Sequence, residues 1–69
     1  MERIFVSRAS AIERLLERRQ ELMSEVEYNP SLAIAIVNVE RLLLDARAGR
    51  LNVFQFTDSM GQISRIYIL

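Results

Sequence analysis

The sequence predicts an α+β fold: an antiparallel helical hairpin packed on a small C-terminal antiparallel β-hairpin, working as a dimer. Three observations carry that expectation. Apolar residues recur at helical spacing from Ile12 to Val26, and again in a second segment that stops at Gly49. Beyond Gly49 the texture changes to β-branched and aromatic residues in two runs around Asp58-Ser59-Met60-Gly61. The stretch Leu32–Leu44 reads LAIAIVNVERLLL, apolar over roughly twice the ~100° arc that a surface helix buries.

Each element follows from local chemistry. Arg3–Val6 fits a short strand. Ser10-Ala11-Ile12-Glu13 fits a capping box, with Ser10 as N-cap and Glu13 at N3; Ser7 is an alternative start one turn earlier. Helix 1 is expected over about 10–27. Its inner face carries Ile12, Leu15, Leu16, Leu22, Met23 and Val26, and its outer face Glu13, Arg14, Glu17, Arg18, Glu21 and Glu25. Tyr28-Asn29-Pro30 breaks the pattern, with Asn29 suited to an N-cap and Pro30 to the first helical position. Helix 2 is expected over about 30–48, with Gly49 as the C′ residue that stops it. Arg47 and Arg50 lie near its C-terminal end, where the helix dipole favours cations. Two helices of similar length with a short connection form an antiparallel hairpin. The β-hairpin is expected over about 51–69. With Thr57 opposite Gln62, one side shows Phe54, Phe56, Ile63 and Tyr67, and the other Leu51, Val53, Ile66 and Ile68. An isolated two-stranded ribbon is marginal in water. One face should therefore pack on the helices while the other, or an edge, meets something else.

Composition narrows the function. The 69 residues form one domain, and a chain of this size buries only about 60% of its unfolded surface. A core this small rarely supplies more than about 3–5 kcal/mol, so small domains recruit disulfides, metals or oligomerisation. Cys and His are both absent, which removes disulfides and leaves only carboxylates as metal ligands; no cofactor or metal is expected. Oligomerisation is the supplement left. The formal net charge is zero, against the basic balance of a dedicated nucleic-acid binder. The longest uncharged run, Asn29–Val39, is too short to span a bilayer, and the N-terminus lacks the apolar run of a signal peptide. A soluble, cytoplasmic protein is the expectation. All nine basic residues are Arg, whose planar fork pairs with carboxylates.

Catalysis finds no support. General acid–base chemistry most often uses His, and nucleophilic catalysis needs an activated Ser, Cys, Thr or Lys. His, Cys and Lys are missing, no Ser has an obvious base, and the two Gly residues are too isolated to cradle a phosphate. The protein is expected not to be an enzyme. Arg19 falls in the seam Ile12, Leu16, Arg19, Met23, Val26. It is either paired internally, with Glu40 as a candidate partner, or presented to a carboxylate on another chain, since an unpartnered buried cation is costly. Asn38 lines up with Ile34, Arg41 and Asp45, either as a polar stripe or as a dimer seam whose register a polar residue specifies. Tyr28, at the hairpin tip, is either a plug on the core or an exposed anchor of the kind favoured at hot spots. Arg14, Arg18, Tyr28, Ile34, Asn38 and Arg41 form the candidate partner-binding set. Val37, Leu44, Phe54, Phe56, Ile66 and Ile68 form the candidate dimer interface.

These features predict a non-catalytic homodimeric protein-binding module that inhibits or modulates a larger protein. In its helical hairpin Ser10–Ala48, its Arg-only basic set and its stand-alone size, the chain resembles the small inhibitors that bacteriophages use against host regulators, such as quorum-sensing anti-activators. That resemblance implies a host transcription factor or motor as the target; it rests on layout, so no functional residue is carried over. The alternative is a small dimeric DNA-binding regulator. A strand at Arg3–Val6 followed by two helices resembles a ribbon-helix-helix arrangement, although the helices are too long and the charge is neutral. The expected partners are a second copy and a larger protein, with neither nucleic acid nor membrane.

Overall fold

In chain order the elements are β1 (Glu2–Val6), α1 (Arg8–Glu25), α2 (Leu32–Arg47), β2 (Val53–Thr57) and β3 (Ile63–Ile68), in a computed structural model that describes residues 1–69. The α+β class and the helical hairpin are as expected from the sequence. The sheet is not the expected two-stranded antiparallel ribbon. It has three strands in the order β1-β3-β2, and β3 pairs parallel with β1 and antiparallel with β2. The physical reason is the N-terminal strand. Its backbone groups need partners, and a parallel pairing needs a long crossover, which the helical hairpin supplies.

The helix ends show how local chemistry places the layers. Ser7, not Ser10, caps α1: it is extended (φ −70°, ψ 162°) and its Oγ accepts from the Ser10 N–H at 3.1 Å. Ser10 is thus a donor within the first turn, and Glu13 closes no capping box. At the tip, the expected capping roles of Asn29 and Pro30 move along the chain. Asn29 Oδ1 accepts from the Ser31 hydroxyl at 2.6 Å, while the Leu32 N–H reaches the Asn29 carbonyl and the Ala33 N–H the Pro30 carbonyl. This tight three-residue spacing delays the regular helix to Leu32. The other end of α2 follows the expected stop. Gly49 sits at φ +78°, its N–H reaches the Ala46 carbonyl at 3.2 Å and the Arg50 N–H the Asp45 carbonyl at 3.0 Å. That is a Schellman motif, and Arg50 strengthens it with a 2.9 Å ion pair to Asp45.

The β2–β3 register is one residue away from the expected one. Thr57 pairs with Ile63, Phe56 with Ser64 and Phe54 with Ile66. The cause lies in the turn. Asp58 Oδ1 accepts from both the Met60 and Gln62 N–H groups at 2.9 Å, and the Asp58 N–H donates to the Gln62 carbonyl. This Asx-type closure draws Gln62 into the loop. A one-residue slip moves every side chain to the other face. The inner face therefore carries Phe54, Phe56, Ser64, Ile66 and Ile68 beside Ile4 and Val6, while Val53, Ile63 and Tyr67 point away from the helices.

Nine apolar residues form one buried layer between hairpin and sheet: Ala11, Leu15 and Leu22 from α1; Ile36, Val39, Leu43 and Ala46 from α2; Phe54 and Ile66 from the sheet. Arg8 locks the layers together from the edge. Its guanidinium donates to the carbonyls of Ala46 and Leu51, both at 2.9 Å, and to Asn52 Oδ1 at 3.3 Å. One side chain at the start of α1 thus holds the end of α2 and the entry to β2. The result is a two-layer slab, 36 × 26 × 15 Å. Its accessible surface is 4766 Å², somewhat above the roughly 4,450 Å² to which a compact monomer of this mass scales.

Two outcomes test this account by urea denaturation at one fixed protein concentration. Arg8→Met keeps the aliphatic stem and removes the three donated bonds; it should lower stability by about 1.5–3 kcal/mol, and a change near zero would show that the clasp is ornamental. Gly49→Ala should lose about 1–2 kcal/mol although nothing lies within 4 Å of the new Cβ, because the penalty comes from the left-handed backbone alone.

Candidate functional site

The helix α2 has two apolar sides. One carries Ile36, Val39, Leu43 and Ala46 into the core. At about 100° per residue, Ile34, Val37, Arg41 and Leu44 fall within an arc on the opposite side. Their spacing alternates three, four and three residues, the seam pattern by which helices pair. The side chains of Ile34, Val37 and Leu44 are 73%, 56% and 63% exposed. No element of the subunit covers them. These exposed apolar positions, with Arg41 among them, make this side of α2 the candidate interaction surface.

The neighbouring helix extends the patch. Arg19 Nε donates to Glu40 Oε2 at 3.2 Å, which ties α1 to α2. The internal pairing of Arg19 is therefore the arrangement present, and the charge is not left free for another chain. Antiparallel helices match one step forward on α1 with one step back on α2. Leu16 is thus level with Leu43 and Leu44, and these three line an open groove of about 450 Å³ with Arg19, Glu40 and Arg47. Met23 falls level with Ile36 and Val37 on the other side of the ion pair. Leu16 and Met23, expected on the inner face of helix 1, are both exposed. The broad outer face of the hairpin is therefore apolar on both sides of the Arg19–Glu40 pair, with Arg41 and Arg47 as its unpaired cations.

The remaining candidates divide. Phe54 and Ile66, expected at a dimer interface, are buried in the subunit, and Phe56 and Ile68 pack against the same core. The shifted register turns all four toward the helices; Phe54 and Ile66 are closed to a partner there, while Phe56 and Ile68 stay partly exposed. Tyr28 does not plug the core: it stands 87% exposed at the tip, because the turn after α1 carries it past the last packed residue, Val26. Arg18 and Asn38 meet in a second cleft, between the two helices and the β2 edge strand, with Gln55 and Thr57 on its far wall. Arg18 also reaches Glu21 at 3.7 Å. Arg14 lines a separate shallow cleft with Glu17, Glu21 and the Asp58 turn. Asn38 and Arg41 are exposed on α2. No group of three or more Asp or Glu side chains converges as metal ligands would, and no helix is long and apolar enough to cross a membrane.

Sequence reasoning missed two features. Arg8 carries no local signal, because its three acceptors lie about forty residues away in sequence, beyond any local pattern. The outer sheet face, with Arg3, Phe5, Arg65 and Tyr67, depends on the parallel pairing of β1 with β3, which no local pattern announces. The β2–β3 register had one local signal, Asp58, whose capacity to cap two backbone N–H groups lengthens the loop.

Among curated proteins and among solved structures, none matches the chain. A family model described as "Uncharacterized protein BTH_I2711-like" matches residues 2–65, which takes in all of β1, α1, α2 and β2 and the first half of β3. The chain belongs to the BTH_I2711-like family.

Proposed function

We propose that this chain is a non-catalytic protein-binding module that acts as a homodimer and modulates a larger protein. The observation that carries the reading is the second apolar side of α2, Ile34-Val37-Arg41-Leu44, left open by a subunit that has already packed its core. A second copy fits this face better than an unrelated surface does. In an antiparallel pairing about a two-fold axis, Ile34 meets Leu44 of the other copy and Val37 meets the aliphatic stem of Arg41. The patch is then complementary to itself. The Arg19–Glu40 pair adds no net charge, and the unpaired Arg41 lays its aliphatic stem along the seam while its guanidinium reaches the rim. Tyr28 at the tip and the Arg18–Asn38 cleft stay outside that contact and suit the larger target.

The DNA-binding alternative has less support. A ribbon-helix-helix dimer reads DNA with a ribbon formed by the N-terminal strands of two copies. Here β1 is already hydrogen-bonded along one edge to β3 of its own subunit.

Sedimentation equilibrium tests the proposal. The full chain at about 100 µM should sediment as a dimer, since a dimer of micromolar Kd is largely assembled there. Leu44→Glu places a charge in the seam and should give a folded monomer with an unchanged circular dichroism spectrum. A wild-type chain that stays monomeric at that concentration would sink the homodimer, as would a Leu44→Glu dimer as tight as the wild type.

A further inference from the structure

The face of the sheet that points away from the helices carries a different chemistry. Its residues align in rows across the strands. Arg3 of β1 stands beside Arg65 of β3, and in the next row Phe5 stands beside Tyr67. The Phe5 and Tyr67 rings stack, with centroids 4.9 Å apart and planes 17° from parallel. β1 is an edge strand, so no strand lies beyond the other ring face of Phe5, and the residue is 60% exposed.

The two arginines are conspicuous for what they lack. Like charges placed directly opposite on neighbouring strands oppose pairing. The ion pairs of the subunit are Arg18–Glu21, Arg19–Glu40 and Arg50–Asp45, and neither Arg3 nor Arg65 takes part in one. No Asp or Glu lies among the outward-facing residues of the three strands. An overall charge of zero thus conceals a local cationic face. That face is open at one end to stacking and calls for an anion at the other. Rows on one face of a sheet are about 6.6 Å apart, within the reach of an arginine side chain.

We propose that this face binds single-stranded nucleic acid, stacking a base on the open side of Phe5 while Arg3 and Arg65 hold the adjoining phosphates. Stacking on aromatic side chains together with a cationic track is the general chemistry of single-strand binding, and it tolerates any base. Duplex nucleic acid fits poorly, because its bases are already stacked on each other. A second copy of this chain fits poorly too, because it would set arginines against arginines. The site is independent of the α2 seam and does not require the homodimer.

The test uses the full chain and a fluorescein-labelled oligo(U) RNA of about eight nucleotides, within the site size of small single-strand binders. Fluorescence anisotropy should show saturable binding at low salt. The log–log salt slope should be about −1.4, the value for two neutralised phosphates on a single strand. The double variant Arg3→Gln/Arg65→Gln should flatten that slope, and Phe5→Ser should weaken binding about tenfold, the loss of one stacked base. Leu44→Glu, on the opposite face, should bind as the wild type does. Amide shift mapping should place the perturbed residues on β1 and β3. No binding at low salt overturns the proposal. Equal affinity for duplex DNA, or for poly-glutamate as a model acidic protein surface, also overturns it. Displacement by free UMP as complete as by unlabelled oligo(U) removes the strand in favour of a lone nucleotide. Shifts confined to α2 would place the ligand elsewhere and end the case.

Discussion

The fold depends on β3 being held from both sides. It is the last strand in the chain and the middle strand in the sheet. Its parallel partner, β1, comes from the opposite end of the sequence and its antiparallel partner, β2, from just before it. Without β1, β3 and β2 would form a two-stranded ribbon of the kind that is marginal in water. With β1, Ile4 and Val6 extend the inner face beside Ile66 and Ile68, and the sheet becomes broad enough to receive two helices. The parallel pairing also fixes the route of the chain. Everything between β1 and β2 must pass over one face of the sheet, which gives the molecule one helical layer and leaves the other sheet face bare.

A core of nine buried residues gives such a slab little margin. The Arg8 clasp matters for that reason. It reaches the Ala46 carbonyl at the end of α2 and the Leu51 carbonyl before β2, so it bridges helix layer and sheet where the chain passes between them. The Schellman stop at Gly49 acts at the same corner. Together the two devices turn the chain from α2 into β2 beside the packed side chains of Ala46 and Leu51. Polar chemistry there adds to the positioning that packing supplies.

How much of this was legible in the sequence depended on the range of the interaction. The helical period, the break at Asn29-Pro30 and the stop at Gly49 are all local, and each leaves its mark within a few residues. The partner of Arg19 was also within reach, because an antiparallel hairpin of known turn position sets Arg19 near Glu40. The β register was not legible, because two competing hairpin loops differ by one residue and only the Asp58 carboxylate decides between them. That single misplacement inverted the ribbon. It put Phe54 and Ile66 on a surface where they do not occur, while the face that Tyr67 and Arg65 share with Phe5 and Arg3 comes from the long-range pairing of β1 with β3. The excess of apolar surface on α2 was readable from composition alone. Which half of it stays outside required the packing of Val39 and Leu43 to be known.

A slab 15 Å thick has two broad faces and too few residues to cover either. The two faces do not compete for the same kind of partner. The helical face is largely apolar, with Arg19 answered by Glu40 inside the subunit and Arg41 and Arg47 as its unpaired cations. Its apolar positions Ile34, Val37 and Leu44 suit a close contact with an identical surface. The sheet face is cationic and aromatic, and its unanswered arginines repel a copy of themselves while attracting an anion. Joining two subunits through α2 would leave both sheet faces outward and on opposite sides of the assembly. Each would keep its full exposure, and a ligand long enough to reach both would gain from their effective concentration rather than from any new contact. The same two-layer economy that leaves the subunit short of a core thus separates the surface proposed for self-association from the surface proposed for an anionic ligand.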